Sequence, residues 1–185
     1  MFVAVIALGC SMIMFPQMSH AGGIYDMTSP LQGNWSLRTV NLGFGLTWQK
    51  RDTCTNNLKK HAGTDVQAWA PEAVYAAEAG VVRATYPSQA GGWVSVAHTP
   101  VGESAFTTVN WHVPPWVTIG ATVAEGQWIG NIADLGGDTH FHFGVRTGSY
   151  TNTSNRGWLP QSYCSPDPAF AENFINPLTL PYHNK

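Results

Sequence analysis

The strongest constraint on this chain is that its apolar residues never settle into a sustained helical repeat. They come in short runs rich in valine, threonine and aromatic residues, interrupted by glycine or proline roughly every 8–12 positions, the rhythm of an antiparallel sandwich or barrel. Ala73-Val-Tyr-Ala-Ala77, Val81-Val-Arg-Ala-Thr85, Trp93-Val-Ser-Val-Ala97, Ala105-Phe-Thr-Thr-Val-Asn-Trp-His112, Gln127-Trp-Ile-Gly-Asn-Ile132 and His140-Phe-His-Phe-Gly-Val-Arg146 read as strands. Pro114-Pro115 stops the run at His112 because proline cannot donate to a ladder, and Val117 to Val123 has a turn at Gly120. The expected fold is all-β: an antiparallel β-sandwich or barrel-like sheet with a groove and irregular N- and C-terminal extensions. Residues 22–57 form an N-terminal lead-in with Leu46-Thr47-Trp48 as a candidate strand. Residues 58–150 form the regular domain. Residues 151–185 form a tail packing on it, with one helical turn expected from Ala169 to Phe174.

The ends and the charge balance narrow the setting. Phe2 to Phe15 is almost wholly apolar, the length of a signal-peptide core and short for a membrane span. Ser19-His20-Ala21 resembles a cleavage site, so residues 1–21 read as a signal peptide and the mature chain as exported to the periplasm, cell envelope or medium, with no stable membrane span. No Lys or Arg precedes the apolar run, which keeps a buried N-terminal helix or strand as the alternative. Removal of the leader takes Cys10 and leaves Cys54 and Cys164, an even pair expected to form a disulfide in an exported protein, or two free thiols in a cytosolic one. Nine Lys and Arg against eleven Asp and Glu give a net charge of −2, so no basic field draws the chain to nucleic acid.

The chemistry is concentrated in two strings. His61-Ala-Gly-Thr-Asp65 offers an imidazole and a carboxylate four residues apart, and His140-Phe-His142 offers two imidazoles that an extended strand points to one face. A His/Asp/His set makes a three-ligand zinc shell with a position left open for water, the pattern of catalytic sites. Each string alone has a plainer reading: a surface histidine pair, and an aspartate closing a turn after Gly63. A third element, Val109-Asn-Trp-His112, sits at a strand end between them.

From His61 to Gly148 the chain resembles the zinc metallopeptidases of the LytM and lysostaphin type, which cleave peptide cross-links of bacterial cell walls. Six ordered blocks carry the likeness: His61-Ala-Gly-Thr-Asp65, Val74-Tyr-Ala-Ala-Glu-Ala-Gly-Val-Val82, Gly92-Trp-Val-Ser-Val-Ala-His98, Thr108-Val-Asn-Trp-His-Val113, Val123-Ala-Glu-Gly-Gln-Trp-Ile-Gly130 and His140-Phe-His-Phe143. The resemblance implies that 58–150 is a catalytic domain binding one Zn2+ per chain through His61, Asp65 and His142. It implies that His112 and His140 are the non-ligand histidines of the active site, one taking a proton from water and the other stabilising the oxyanion, in either order. His98 is read as structural. The chain departs from the family pattern at Trp69, at Pro71-Glu72-Ala73-Val74, and in the short loop Asp134-Leu-Gly-Gly-Asp138.

The function this implies is zinc-dependent hydrolysis of peptidoglycan cross-links by an activated water, with a wall peptide as partner and a monomer as the default state. The alternatives are a non-catalytic wall-binding or activator module on the same fold and a secreted zinc protease acting on a non-wall peptide. Trp69, Trp93, Trp111, Trp116 and Trp128 are candidates to line a groove, with Trp93, Trp111 and Trp128 expected in the core. Residues 22–57 could cover the zinc site, and Asn34 and Asn41 are side chains there that could reach a metal.

Overall fold

The structure is a computed structural model that describes residues 26–45, 58–88, 91–150, 162–165 and 173–183. The expected leader at 1–21, the strand at Leu46-Thr47-Trp48 and Cys54 lie outside the described residues. The strands are β1 (Met27–Thr28), β2 (Val40–Leu42), β3 (Leu58–His61), β4 (Thr64–Gln67), β5 (Ala73–Tyr75), β6 (Gly80–Tyr86) and β7 (Trp93–His98). They continue as β8 (Phe106–Trp111), β9 (Thr122–Val123), β10 (Trp128–Asn131), β11 (His140–Thr147), β12 (Ser162–Ser165), β13 (Phe174–Ile175) and β14 (Tyr182–His183). Among the described residues the only helical pieces are short 3-10 turns, and no helix is long and apolar enough to cross a membrane.

The main sheet has eight strands, seven in the order β2-β4-β11-β8-β7-β6-β9 and the eighth, β13, also paired with β11, antiparallel at every pairing. It ends in two edges and does not close into a barrel. On β11, Phe141, Phe143 and Val145 point into the main core with Val66, Val82, Val94, Val96 and Phe106 from the neighbouring strands. Alternation sends His140, His142 and Gly144 to the opposite face. The core face is covered by the two-stranded β5–β10 sheet, through Val74 and Ile129, and by the stretch around Met27, Leu31 and Trp35. Trp35 is the plug: its indole is 1% exposed and meets Phe143 edge-on at 5.5 Å and Phe141 at 6.1 Å. On the other face a smaller cluster of Ala62, Ala84, Trp93, Val109 and Phe174, with Phe44 and Trp111 against it, floors the histidine side.

The first and last described segments join this body. β1 pairs with β14 in parallel, β13 pairs with β11 beyond β4, and β12 pairs with β3 so that Cys164 lies opposite Lys59 in backbone register. The pairing of Cys54 with Cys164 falls outside the described residues because Cys54 does. The turn expected at Gly120 is present, at φ +88, and Thr122–Val123 after it is strand. Of the helical turn expected from Ala169 to Phe174 only the end lies within the described residues, and there Phe174 is extended in β13. One expectation is corrected. Trp128 is 40% exposed, since alternation on β10 gives Ile129 to the core and turns Trp128 outward.

Two close contacts set size constraints within the fold. Between β3 and β4 the chain passes directly over β11, and a Cβ on Gly63 would lie 2.5 Å from the Phe143 carbonyl oxygen and 2.6 Å from His142 Nε2. His98 ends β7 fully buried, stacked on Phe106, with Nδ1 3.0 Å from the Ala79 carbonyl oxygen. That oxygen can only accept, so Nδ1 carries the proton and Nε2 accepts from the Thr108 hydroxyl at 2.9 Å. The structural reading of His98 fits this pairing, and burial pushes its pKa down to about 4.

Gly63→Ala should therefore cost about 2–3 kcal/mol in urea unfolding, whereas Gly137→Ala, with nothing within 4 Å of the added carbon, should stay within about 0.5 kcal/mol. Equal costs would contradict the packing described. As pH falls from 7 to 4, the unfolded chain protonates at His98 and the folded chain does not. The stability this neutral histidine contributes is thus full above its unfolded pKa of 6.5 and lost toward its folded value of about 4, a term of about 3 kcal/mol. His98→Gln should flatten the pH dependence of stability by that amount, and an unchanged slope would contradict the assignment.

Candidate metal centre

The register of β4 on β11 places His142 opposite Asp65 and His140 opposite Gln67. Directly opposed residues share a face, so the Asp65 and His142 side chains meet across the pair. The tight Ala62-Gly63 passage then returns His61, at the end of β3, to the same point. Three ligand atoms converge there. His61 Nε2 is 2.9 Å from His142 Nδ1 and 3.1 Å from Asp65 Oδ1, and His142 Nδ1 is 2.8 Å from Asp65 Oδ1. All three residues are buried.

The donor set suits a cation. His61 Nδ1 lies 3.0 Å from the Gly43 carbonyl oxygen, which can only accept, so the ring proton is on Nδ1 and Nε2 presents a bare lone pair to the cluster. Burial raises the pKa of Asp65, but hydrogen bonds and charge from His142 and His61 outweigh it and hold the carboxyl well below the usual range. Burial pushes His142 down to about 4, against the pull of Asp65. At neutral pH Asp65 is therefore a carboxylate and His142 a neutral imidazole, protonation states that metal ligation requires. A tetrahedral site with bonds of about 2.0–2.1 Å has ligand edges of about 3.3–3.4 Å. The observed triangle is slightly smaller, and these residues could hold a metal ion. The other nitrogen of His142, Nε2, is buried with no hydrogen-bond partner and packs against Gly63.

The two remaining histidines stand together beside this cluster. Their ring centroids are 4.3 Å apart, edge to face. His140 Nδ1 is 2.5 Å from the Asp138 carbonyl oxygen, so the backbone takes that proton, and Nε2 faces Asp65 Oδ2 at 3.7 Å. His112 follows β8 with φ +65, a left-handed conformation that costs a non-glycine residue about 1 kcal/mol or more and recurs at functional sites. It is held by its N–H on the Gly92 carbonyl at 2.9 Å and by its carbonyl accepting from Ala133 N–H at 2.8 Å. Gly91 makes room: a Cβ there would come within 2.7 Å of His112 Cα.

All five sequence-derived candidates thus meet in one place, while His98 lies apart on β7. The lead-in contributes something the sequence did not signal. Gly43 orients His61 through its carbonyl, and Gly45 N–H donates to the His61 carbonyl at 2.9 Å. Backbone groups carry no residue signature, so neither contact was legible. Asn34 is committed elsewhere, its Oδ1 accepting from Ser36 N–H at 3.0 Å and the Ser36 hydroxyl at 2.7 Å. Asn41 lines an open recess of about 390 Å3 beside His140 with Gln67, Trp69, Asp134 and Thr139. Trp69 is 67% exposed there.

Comparison with solved structures returns the same architecture. A zinc-containing peptidase from Vibrio cholerae is 22% identical with a TM-score of 0.50, over 66% of this chain and 37% of that one. Csd3 from Helicobacter pylori is 21% identical with a TM-score of 0.49, over 68% and 33%. Lysostaphin from Staphylococcus simulans is 19% identical with a TM-score of 0.48, over 74% and 52%. At the 22% identity of the first, the likeness speaks for the fold, and this chain spans only about a third of the length of the first two proteins. No curated protein matches the chain. The model of Peptidase family M23 matches residues 59–155, just over half of the chain, including all five of these residues. The chain belongs to peptidase family M23.

Proposed function

We propose that the protein is a zinc-dependent endopeptidase that hydrolyses peptide cross-links of bacterial peptidoglycan outside the cytosol, with His61, Asp65 and His142 as ligands of one zinc ion. The convergence of His61 Nε2, Asp65 Oδ1 and His142 Nδ1 within 3.1 Å of one another supports the reading most. Two imidazoles and a carboxylate suit zinc. Bound there, zinc would supply Lewis acidity toward a scissile carbonyl and make water nucleophilic near neutral pH.

The chain's own groups supply the rest. Asp138 fixes the tautomer of His140, leaving Nε2 as the nitrogen that accepts a proton from attacking water on the Asp65 side. His112, locked by its backbone bonds against the His140 ring, is placed to donate a hydrogen bond to the developing oxyanion, and the proton taken up at His140 Nε2 passes on to the leaving amine. The recess along Gln67, Trp69, Asp134 and Thr139 gives an extended peptide a place beside these histidines. Its open, half-polar lining suits a peptide more than a compact apolar ligand.

Purified protein should contain about one zinc per chain. His142→Ala should lose metal and turnover together, with affinity falling at least about 100-fold. His140→Ala should keep its zinc by elemental analysis and lose about 10²–10⁴-fold in turnover on purified sacculi. New amino termini on the released muropeptides would identify the bond cleaved. Full turnover by His140→Ala would overturn its role, and intact sacculi with zinc-replete protein would overturn the substrate.

A further inference from the structure

We propose that Tyr75, Trp128 and Trp116 form a sugar-stacking platform that holds the glycan strand of the wall while the metal centre acts on its peptides; this rests on the cell-wall reading above. Trp116 is 67% exposed and Trp128 40%, and their rings lie 5.0 Å apart at 42°. Tyr75 is opposite Trp128 in the β5–β10 ladder, so its ring extends the same face. The result is a row of three aromatic side chains across neighbouring segments.

The row is held in place. Trp128 Nε1–H donates to Asn131 Oδ1 at 2.8 Å, Gln32 Nε2 donates to the Tyr75 hydroxyl at 3.2 Å, and Trp116 N–H donates to the Ile129 carbonyl at 3.1 Å. Exposed aromatic area that is already ordered loses little entropy on binding. Surfaces of this kind mark binding sites more often than scattered apolar residues do.

The chemistry of the patch selects the ligand. An extended peptide would need a free strand edge, and here β10 has β5 on one side and the Pro115–Gly130 bridge and Trp116 on the other. Pro114 and Pro115 bring no N–H donors. The groups that anchor the aromatic row, Gln32 and Asn131, are uncharged amides. Exposed ring faces flanked by neutral amides match the C–H faces and hydroxyls of a pyranose. β10 also leads to the catalytic side, where Ala133 N–H binds the His112 carbonyl at 2.8 Å. Trp128 lies five residues back, on the order of 15 Å along an extended strand. A polymer seated on the row would carry its peptide branches past the histidines.

The test uses metal-free protein, so it is independent of zinc and of catalysis. Tetra-N-acetylchitotetraose is titrated while the indole N–H resonances are followed by NMR. Saturable shifts at Trp116 and Trp128 are expected. Trp116→Ala/Trp128→Ala should weaken binding at least tenfold, Trp116→Phe/Trp128→Phe should restore part of it, and Val101→Ala, a fully exposed change elsewhere, should match wild type. Absence of saturable shifts, or equal binding by the alanine variant, overturns the proposal. So does a response to sugar-free cross-link peptide alone, or shifts that track protein concentration instead of sugar. Sugar binding in a chain that cleaves no wall would leave the platform standing and remove the enzyme reading. Cleavage without sugar binding would do the reverse.

Discussion

The pairing of β4 with β11 is the interaction on which the rest depends. It sets His142 opposite Asp65 and, two residues along, His140 opposite Gln67. Because side chains alternate, the same register sends Phe141 and Phe143 into the core beneath Trp35. Core and site are therefore two faces of one strand. A one-residue slip would put both histidines into the apolar layer and both phenylalanines into the site. The aromatic packing under β11 thus fixes the ligand geometry above it.

The first and last described segments are part of this arrangement. Trp35 in the lead-in fills the core under β11, and Tyr182 near the C-terminus contacts it at 5.7 Å. Gly43 then reaches the other face and orients His61. A ligand whose second nitrogen is held by a carbonyl is fixed in tautomer and rotation, which sharpens its affinity for a cation. The matched family region begins at residue 59, yet the centre it contains is completed by a backbone group sixteen residues earlier.

Much of this could be read from the residues. Alternation in Trp93 to Ala97 and in His140 to Arg146 gave strands in the right phase, and the five candidate residues that the family resemblance singled out stand together in the structure. What stayed hidden had physical reasons. Trp128 looked like core because it sits on a strand, but which face of that strand is covered depends on the partner sheet. The strain at His112 and the carbonyls of Gly43 and Asp138 are backbone features with no signature in residue type. The lone glycine of the first string was visible, but its reason, the passage over His142, appears only once β11 is beneath it.

The central claim is that two imidazoles and one carboxylate oxygen form a single cation site, with its fourth position open beside His112 and His140. X-ray absorption spectroscopy on zinc-loaded protein tests it most directly. The account predicts a four-coordinate first shell of nitrogen and oxygen at about 2.0–2.1 Å with the outer-shell scattering of two imidazoles, reduced to one in His61→Ala. A shell containing sulfur, or an imidazole count unchanged by His61→Ala, would contradict it.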